Sequence, residues 1–324
     1  MANEISFDVR PAARRRVGPE VVRTRQSFST IWHQHWQLYA MLVPAAALLI
    51  LFRFYPLWGI SLAFIDWEPM KGVLGSVFVG LDVYRRILST PDMGLIIRNT
   101  VVIAVGKIIL VQAAGLAFAL IIHQLGWSFF RRISQTLTTL PYFLSWIIVG
   151  GIMLQILPTR GVLNMGLREI GLGPIRFLTS HEVFQWTLIW SEVWKNFGFA
   201  AVIYLAALVG INPELYEAAA VDGAGRGSRL LHVTLPGIAP TIVLMACLNL
   251  GNVLEAGFEQ VLVLQNPAVY ATGDILDTYV YRAGILSAQY SLATAVGLLK
   301  SVVGFVMVCL SYWLADRLAN YRVF

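Results

Sequence analysis

The chain has 324 residues, of which 57% are hydrophobic and only 13% charged, and its mean hydropathy is +0.69. An ordinary soluble domain carries about 25% charged residues, so this composition argues against a water-soluble fold: too few polar groups exist to cover its surface. The net charge of +6 is not read as a nucleic-acid footprint, because membrane proteins concentrate Lys and Arg in cytoplasmic loops; no nucleic-acid partner is expected.

In chain order, residues 1–35 form a polar arm carrying Arg10, Arg14, Arg15, Arg16, Arg23 and Arg25. No short apolar segment with a small-residue cleavage site follows these charges, so the arm is not a signal peptide. It reads as a solvated basic segment near anionic lipid headgroups. A spanning helix requires about 20 mostly apolar residues. Six runs qualify: 37–64, 97–122, 133–157, 183–209, 239–263 and 291–315. The first is interrupted by Arg53 and Pro56, and either ends near Phe54 or continues at the interface. Pro44, Pro141 and Pro240 fall inside or at the start of spans, where neighbouring helices satisfy the freed carbonyls. The expected fold is an all-α membrane domain of six helices over 36–315, preceded by the arm and followed by a tail at 316–324. Cys247 and Cys309 lie in apolar runs without a C-x-x-C pair, which argues against a disulfide framework or a zinc site; no metal site is expected.

Orientation follows from Lys and Arg. With the N-terminus inside, the arm, the 123–132 loop, the 210–238 loop and the tail hold 12 basic and seven acidic residues. The outer segments hold eight of each. The positive-inside rule then places both termini in the cytoplasm.

Seven ionisable residues fall within the spans: Arg53, Lys107, Glu192, Lys195, Glu255, Glu259 and Lys300. Burying a charge near the bilayer centre costs at least about 2.5–3.5 kcal/mol, so each is expected to face protein or water. Arg53 reads as a residue that snorkels to the outer interface. Lys107 and Lys300 either pair with Glu255 or Glu259 between helices or contact a substrate. Span four gathers Trp190, Glu192, Trp194, Lys195 and Asn196 within seven residues. This cluster offers aromatic faces and polar forks for a sugar, or forms an aromatic belt with polar groups turned inward. In span five, Asn249, Asn252, Glu255 and Glu259 are polar, and the last three share one face by helical spacing. Such a stripe lines a pore or a helix contact. The small residues Ala113, Gly115, Ala117 and Ala119 allow close helix approach, within the chain or between chains.

The longest inner loop, 211–237, is structured. Asn212 suits the N-cap, Pro213 the first helical position, and Glu214 the positive helix end. Gly223 closes the short helix in a left-handed conformation, and a second short helix runs through Arg229 and His232 until Leu235-Pro236 ends it. Its pattern is Glu217-Ala218-Ala219, three residues, Gly223, nine residues, Val233, one residue, Leu235-Pro236. The pattern resembles the coupling signature of binding-protein-dependent ABC importer permeases, with Val233 in place of the commoner isoleucine.

The segments L-P-Y-F-L-S-W at 140–146, Y-L-A-A-L at 204–208 and A-G-F-E-Q at 256–260 resemble the oligosaccharide branch of that family. So do D-T-Y-V-Y-R at 277–282 and Q-Y-S-L-A-T-A-V-G at 289–297. The resemblance implies the type I importer fold, a bacterial inner-membrane location and alternating access. It also implies a second homologous permease, two ATP-binding subunits that hold ATP and Mg, and an extracytoplasmic solute-binding protein. Glu217, Ala218, Ala219, Asp222 and Gly223, with Leu235 and Pro236, would then couple the chain to an ATPase subunit. An oligosaccharide is the implied substrate, and alginate fragments are the single best match.

The chain carries no ATP site of its own: its only Gly-Lys pair, Gly106-Lys107, lacks the upstream glycine of a P-loop. No catalytic residue or bound cofactor is expected. Two other readings stay open on the residues alone. An ion-coupled secondary transporter would use Glu255 and Glu259 as ion sites. A membrane enzyme acting on lipid-linked sugars would need a catalytic cluster, whereas the five histidines (33, 35, 123, 181 and 232) are scattered.

Overall fold

The computed structural model describes residues 28–125 and 127–319. The six arginines of the arm and the last residues of the tail lie outside the described residues. The chain divides into two compact units, residues 1–58 and 59–324.

The first unit is helical from Phe28, already within the expected arm. An α-helix at Phe28–Leu49 passes into a π-helical turn at Ile50–Phe54, which contains Arg53. A 3-10 stretch then runs from Tyr55 to Phe64. Pro56 therefore does not end span one, which is helical over Trp36–Phe64. Proline removes a donor and crowds the carbonyl four residues back, and a change of helical pitch accommodates both defects.

In the second unit, span two (Met93–Gln124) and span four (His181–Val209) lie side by side. A Cβ on Gly115 would stand 2.7 Å from that of Ala200, so the missing side chain sets how closely they approach. Ala119 is buried beside Ala201, Tyr204 and Leu208, whereas Ala113 and Ala117 are exposed. Packing within the chain thus accounts for Gly115 and Ala119.

Span three is broken rather than continuous. The helical stretch Ser128–Phe143 and the helix Trp146–Ile156 meet at 99°. Pro141 opens the 3-10 turn Leu140–Phe143, and the Ser145 hydroxyl accepts from the Ile148 amide at 3.3 Å to start the next helix. Span six is the helix Tyr290–Trp313, which continues to Ala319. Among the described residues, five helices are long and apolar enough to cross a membrane, and the bent pair makes a sixth.

Span five departs most from its expected bounds. It covers Arg226–Leu250, not 239–263. Leu235-Pro236 does not end a separate helix. The π-helical turn Leu230–Thr234 lets the Leu235 amide bond to Leu230, and the helix continues through Pro236 and Pro240. The irregular stretch 251–257 follows, and then the short helix Phe258–Leu264.

The outer segments are held by polar side chains bonded to loop carbonyls. Asn164 donates to Pro158 and Ile175, Asn99 to Ala271, and Gln185 to Thr272. Asp274 holds Arg282 in a fork with contacts of 3.1 and 2.5 Å, and these bonds raise the guanidinium above its ordinary pKa. An apolar cluster including Val83, Ile87, Ile96, Leu276 and Val296 lies beneath them. A two-strand hairpin (Ile65–Asp66 with Val77–Phe78) lies in the segment between spans one and two.

Candidate transport path

The break after Leu250 organises the site. Backbone that leaves the helix at membrane depth is tolerated only where it is buried in protein or lines a water-filled cavity. Here both occur. Residues 251–255 form successive turns, with Val253 bonded to Leu250 and Glu255 to Asn252. Gly257 then reverses the chain at φ +88°. A Cβ at Gly257 would lie 2.7 Å from the Lys107 ammonium, so both the backbone angle and the space require glycine.

Lys107 of span two holds this break in place. Its ammonium donates to the Ala256 carbonyl at 2.5 Å and to Gln260 Oε1, and lies 3.4 Å from Glu192 Oε2 of span four. Its side chain is only 7% exposed. Three donors thus meet three acceptors, the condition under which a charge can be buried. Gln260 in turn donates to the Leu188 carbonyl and Ser191 Oγ, and Asn196 donates to Glu192 Oε1.

Two cavities meet at the break. One, of about 260 Å³, is lined by Lys107, Gln112, Glu192, Asn196, Asn249, Asn252 and Glu255. The larger, of about 610 Å³, is lined by Glu255, Phe258, Asp277, Tyr281, Tyr290 and Lys300, among others. Glu255 and Gly257 belong to both. Lys300 bonds to Asp277 at 2.7 Å. Among the described residues, no ion pair or hydrogen bond engages the Glu255 carboxylate. The walls combine aromatic faces, amides and carboxylates, a mixture suited to a polar ligand with some apolar surface.

Several sequence expectations change here. Lys107 and Lys300 pair with Glu192 and Asp277, not with Glu255 or Glu259. Asn252, Glu255 and Glu259 do not form one helical stripe, because the helix ends at Leu250. Glu259 is exposed on the next helix and lines neither cavity. The span-four cluster divides. Glu192 and Asn196, one turn apart, face the smaller cavity. Lys195 is buried elsewhere: it donates to the Tyr142 carbonyl at 3.0 Å and lies over the Tyr142 and Trp146 rings. Trp190 and Trp194 are 58% and 50% exposed and line neither cavity. Phe258, Gln260, Asp277, Tyr281 and Tyr290 were not singled out from the sequence. All five lie within the family-like segments, but a pattern match carries no direction for a side chain.

The loop between spans four and five is built as its residues dictate. Asn212 Oδ1 accepts from the Glu214 amide at 3.0 Å, and the helix Pro213–Val221 follows. Gly223 stands at φ +76°, while the Gly223 amide bonds to Ala220 and the Ala224 amide to Ala219. These two bonds are the Schellman closure of a helix. Glu217, Ala218, Asp222 and Gly223 are exposed, and Ala219 is partly so. Leu235 packs against the cluster around Tyr204 and Ile238, and Pro236 is exposed.

Comparison with known proteins identifies this architecture. The polygalacturonan/rhamnogalacturonan transport system permease protein YteP of Bacillus subtilis is 36% identical over 292 residues, spanning 90% of this chain and 91% of that protein. Protein LplB of the same organism is 35% identical, spanning 89% and 91%. A solved bacterial ABC transporter involved in the import of the acidic polysaccharide alginate contains a chain that superposes with a TM-score of 0.83. That chain is 35% identical, and the match covers 90% of this protein and 98% of the solved one. A second structure, of an alginate ABC transporter with its alginate pentasaccharide-bound periplasmic protein, superposes equally well at 34% identity, covering 91% of this protein and 99% of the solved chain. Residues 113–320 match the family described as the binding-protein-dependent transport system inner membrane component. With long apolar helices, a structured loop before span five and a polar break after it, the chain belongs to that family of membrane permeases.

Proposed function

We propose that the chain forms half of the translocation path of an ATP-driven oligosaccharide importer in a bacterial inner membrane, with both termini in the cytoplasm. The observation that carries this reading is the pair of cavities joined at Glu255. Sugars are recognised by aromatic faces on their C–H surfaces and by side chains that fork to hydroxyls. Phe258, Tyr281 and Tyr290 supply the first; Asn196, Asn249 and Asn252 supply the second. Of the carboxylates lining the cavities, Glu192 and Asp277 are neutralised by Lys107 and Lys300, leaving Glu255. The pairing limits repulsion of an anionic chain to Glu255, and similarity to permeases of acidic-polysaccharide importers supports acidic cargo, with alginate oligosaccharides as the best single substrate.

The partners are a second homologous permease, two ATP-binding subunits and an extracytoplasmic binding protein. ATP and Mg belong to the ATPase subunits. The Pro213–Val221 helix, with its small residues and acceptors at Glu217 and Asp222, docks on an ATPase subunit as an amphipathic helix in a groove. Closure of the ATPases on ATP moves this helix and opens the spans outward, and hydrolysis returns the path to the cytosolic side. Reconstituting the full assembly with Gly223→Leu in this chain tests the docking role. Sugar-stimulated ATP hydrolysis should be lost while membrane insertion is retained; normal coupling would sink the assignment. Uptake driven by an ion gradient without ATP would overturn the ATP-driven reading. The secondary-transporter alternative rested on an acidic helical stripe, and the break at 251–257 dismantles that stripe.

A further inference from the structure

A third cavity, separate from the transport path, has walls of a single charge. It measures about 390 Å³ and lies between His123 and Gln124 at the end of span two, Tyr216 of the Pro213–Val221 helix, and Arg226, Arg229 and Thr234 at the start of span five. Two guanidiniums and an imidazole line it, and no carboxylate does. The nearby acids Glu214, Glu217 and Asp222 belong to the adjoining loop but not to the cavity wall. Among the described residues, neither arginine side chain is in an ion pair. The Arg229 Nε–H is buried and meets no acceptor. Buried donors are almost always satisfied in folded proteins. The guanidinium fork matches the two oxygens of a phosphate. The Tyr216 hydroxyl, 3.1 Å from Thr234 Oγ1, adds a polar group to the same wall.

Depth in the membrane decides which phosphate. The span-two helix has 32 residues, about 48 Å at 1.5 Å per residue, against a hydrocarbon core of about 30 Å. Centred on that core, the helix brings its last turn, with His123 and Gln124, to headgroup level, and the first turn of span five lines the same cavity. Basic pockets between spans at this depth suit anionic lipid headgroups. We propose that this pocket binds a phosphate-bearing anion, the headgroup phosphate of an anionic phospholipid. The assignment does not depend on the cargo or on the direction of transport.

Native mass spectrometry of the purified full-length chain tests it, comparing retention of dioleoylphosphatidylglycerol with dioleoylphosphatidylcholine. The expected result is at least about tenfold tighter retention of the anionic lipid. Arg226→Gln with Arg229→Gln should abolish this preference, and Arg229→Lys, which keeps the charge but loses the fork, should weaken it several-fold. Replacing Arg317 and Arg322 of the tail by Gln should leave it unchanged. Equal retention of the two lipids, or equal loss from the pocket and tail variants, overturns the proposal. A calorimetric titration with inorganic phosphate separates the sources. Binding as tight as the lipid's, lost in the pocket variant, would overturn the lipid assignment in favour of a soluble phosphate. The Arg229→Lys chain keeps the test decisive if the double variant unfolds.

Discussion

Lys107 and Lys300 each meet a carboxylate of another segment, but in different surroundings. The Lys107 side chain is 7% exposed and that of Glu192 19%, and the ammonium is also bound by Ala256 and Gln260. Lys300 and Asp277 are each 23% exposed on the wall of the larger cavity. Removing one member of a buried pair leaves an uncompensated charge, whereas a partly solvated pair is screened and contributes little. The first pair therefore holds the architecture of the break in span five. The second sets the charge that cargo meets.

The sharpest way to break this contrast is Lys107→Met. It strands Glu192 and frees the Ala256 carbonyl, so stability should fall by about 3–5 kcal/mol, read as the shift in unfolding in detergent. Adding Glu192→Met should recover much of that loss, and an unchanged single variant would remove Lys107 from its structural role. Gly257→Val strains the backbone at φ +88° and crowds the same ammonium. A cost of about 1–3 kcal/mol and loss of uptake in vesicles are expected. Lys300→Gln should change stability by less than about 1 kcal/mol, while half-saturation for an acidic oligosaccharide rises several-fold and that for a neutral one does not. If both sugars respond alike, the pair serves structure and the contrast fails. The smallest effect is expected of Trp194→Ala. Its ring lies outside both cavities, so uptake should stay within about twofold, the range of surface changes away from a site; a larger loss would return span four's aromatic face to the path.

Six apolar runs were legible because span length and hydropathy are local properties. The same reasoning misplaced span five by 13 residues at each end, because hydropathy averages composition and is blind to a break in the backbone. Pro236 looked like a stop, and the π-helical turn before it made it an interior residue. Of the charged groups expected in spans four and five, Glu192 and Lys195 turn to protein partners and Glu255 to a cavity, whereas Glu259 is exposed. Their partners were not legible, since a period of 3.6 assigns a face only while the helix lasts.

The sequence by itself determined what a few adjacent residues can enforce. Asn212, Pro213 and Gly223 fixed the helix of the inner loop through one cap bond, one preset φ and one left-handed residue. Tertiary structure alone decided that Lys107 would meet Gln260 and Glu192, far along the chain, instead of Glu255. It also decided that Glu192 and Asn196 would face a cavity while Lys195 between them turned to the Tyr142 carbonyl. The physical reason is the same in each case. A cap satisfies donors within its own turn, but a charge in a membrane is stabilised by whichever acceptors the packing of distant segments brings within reach.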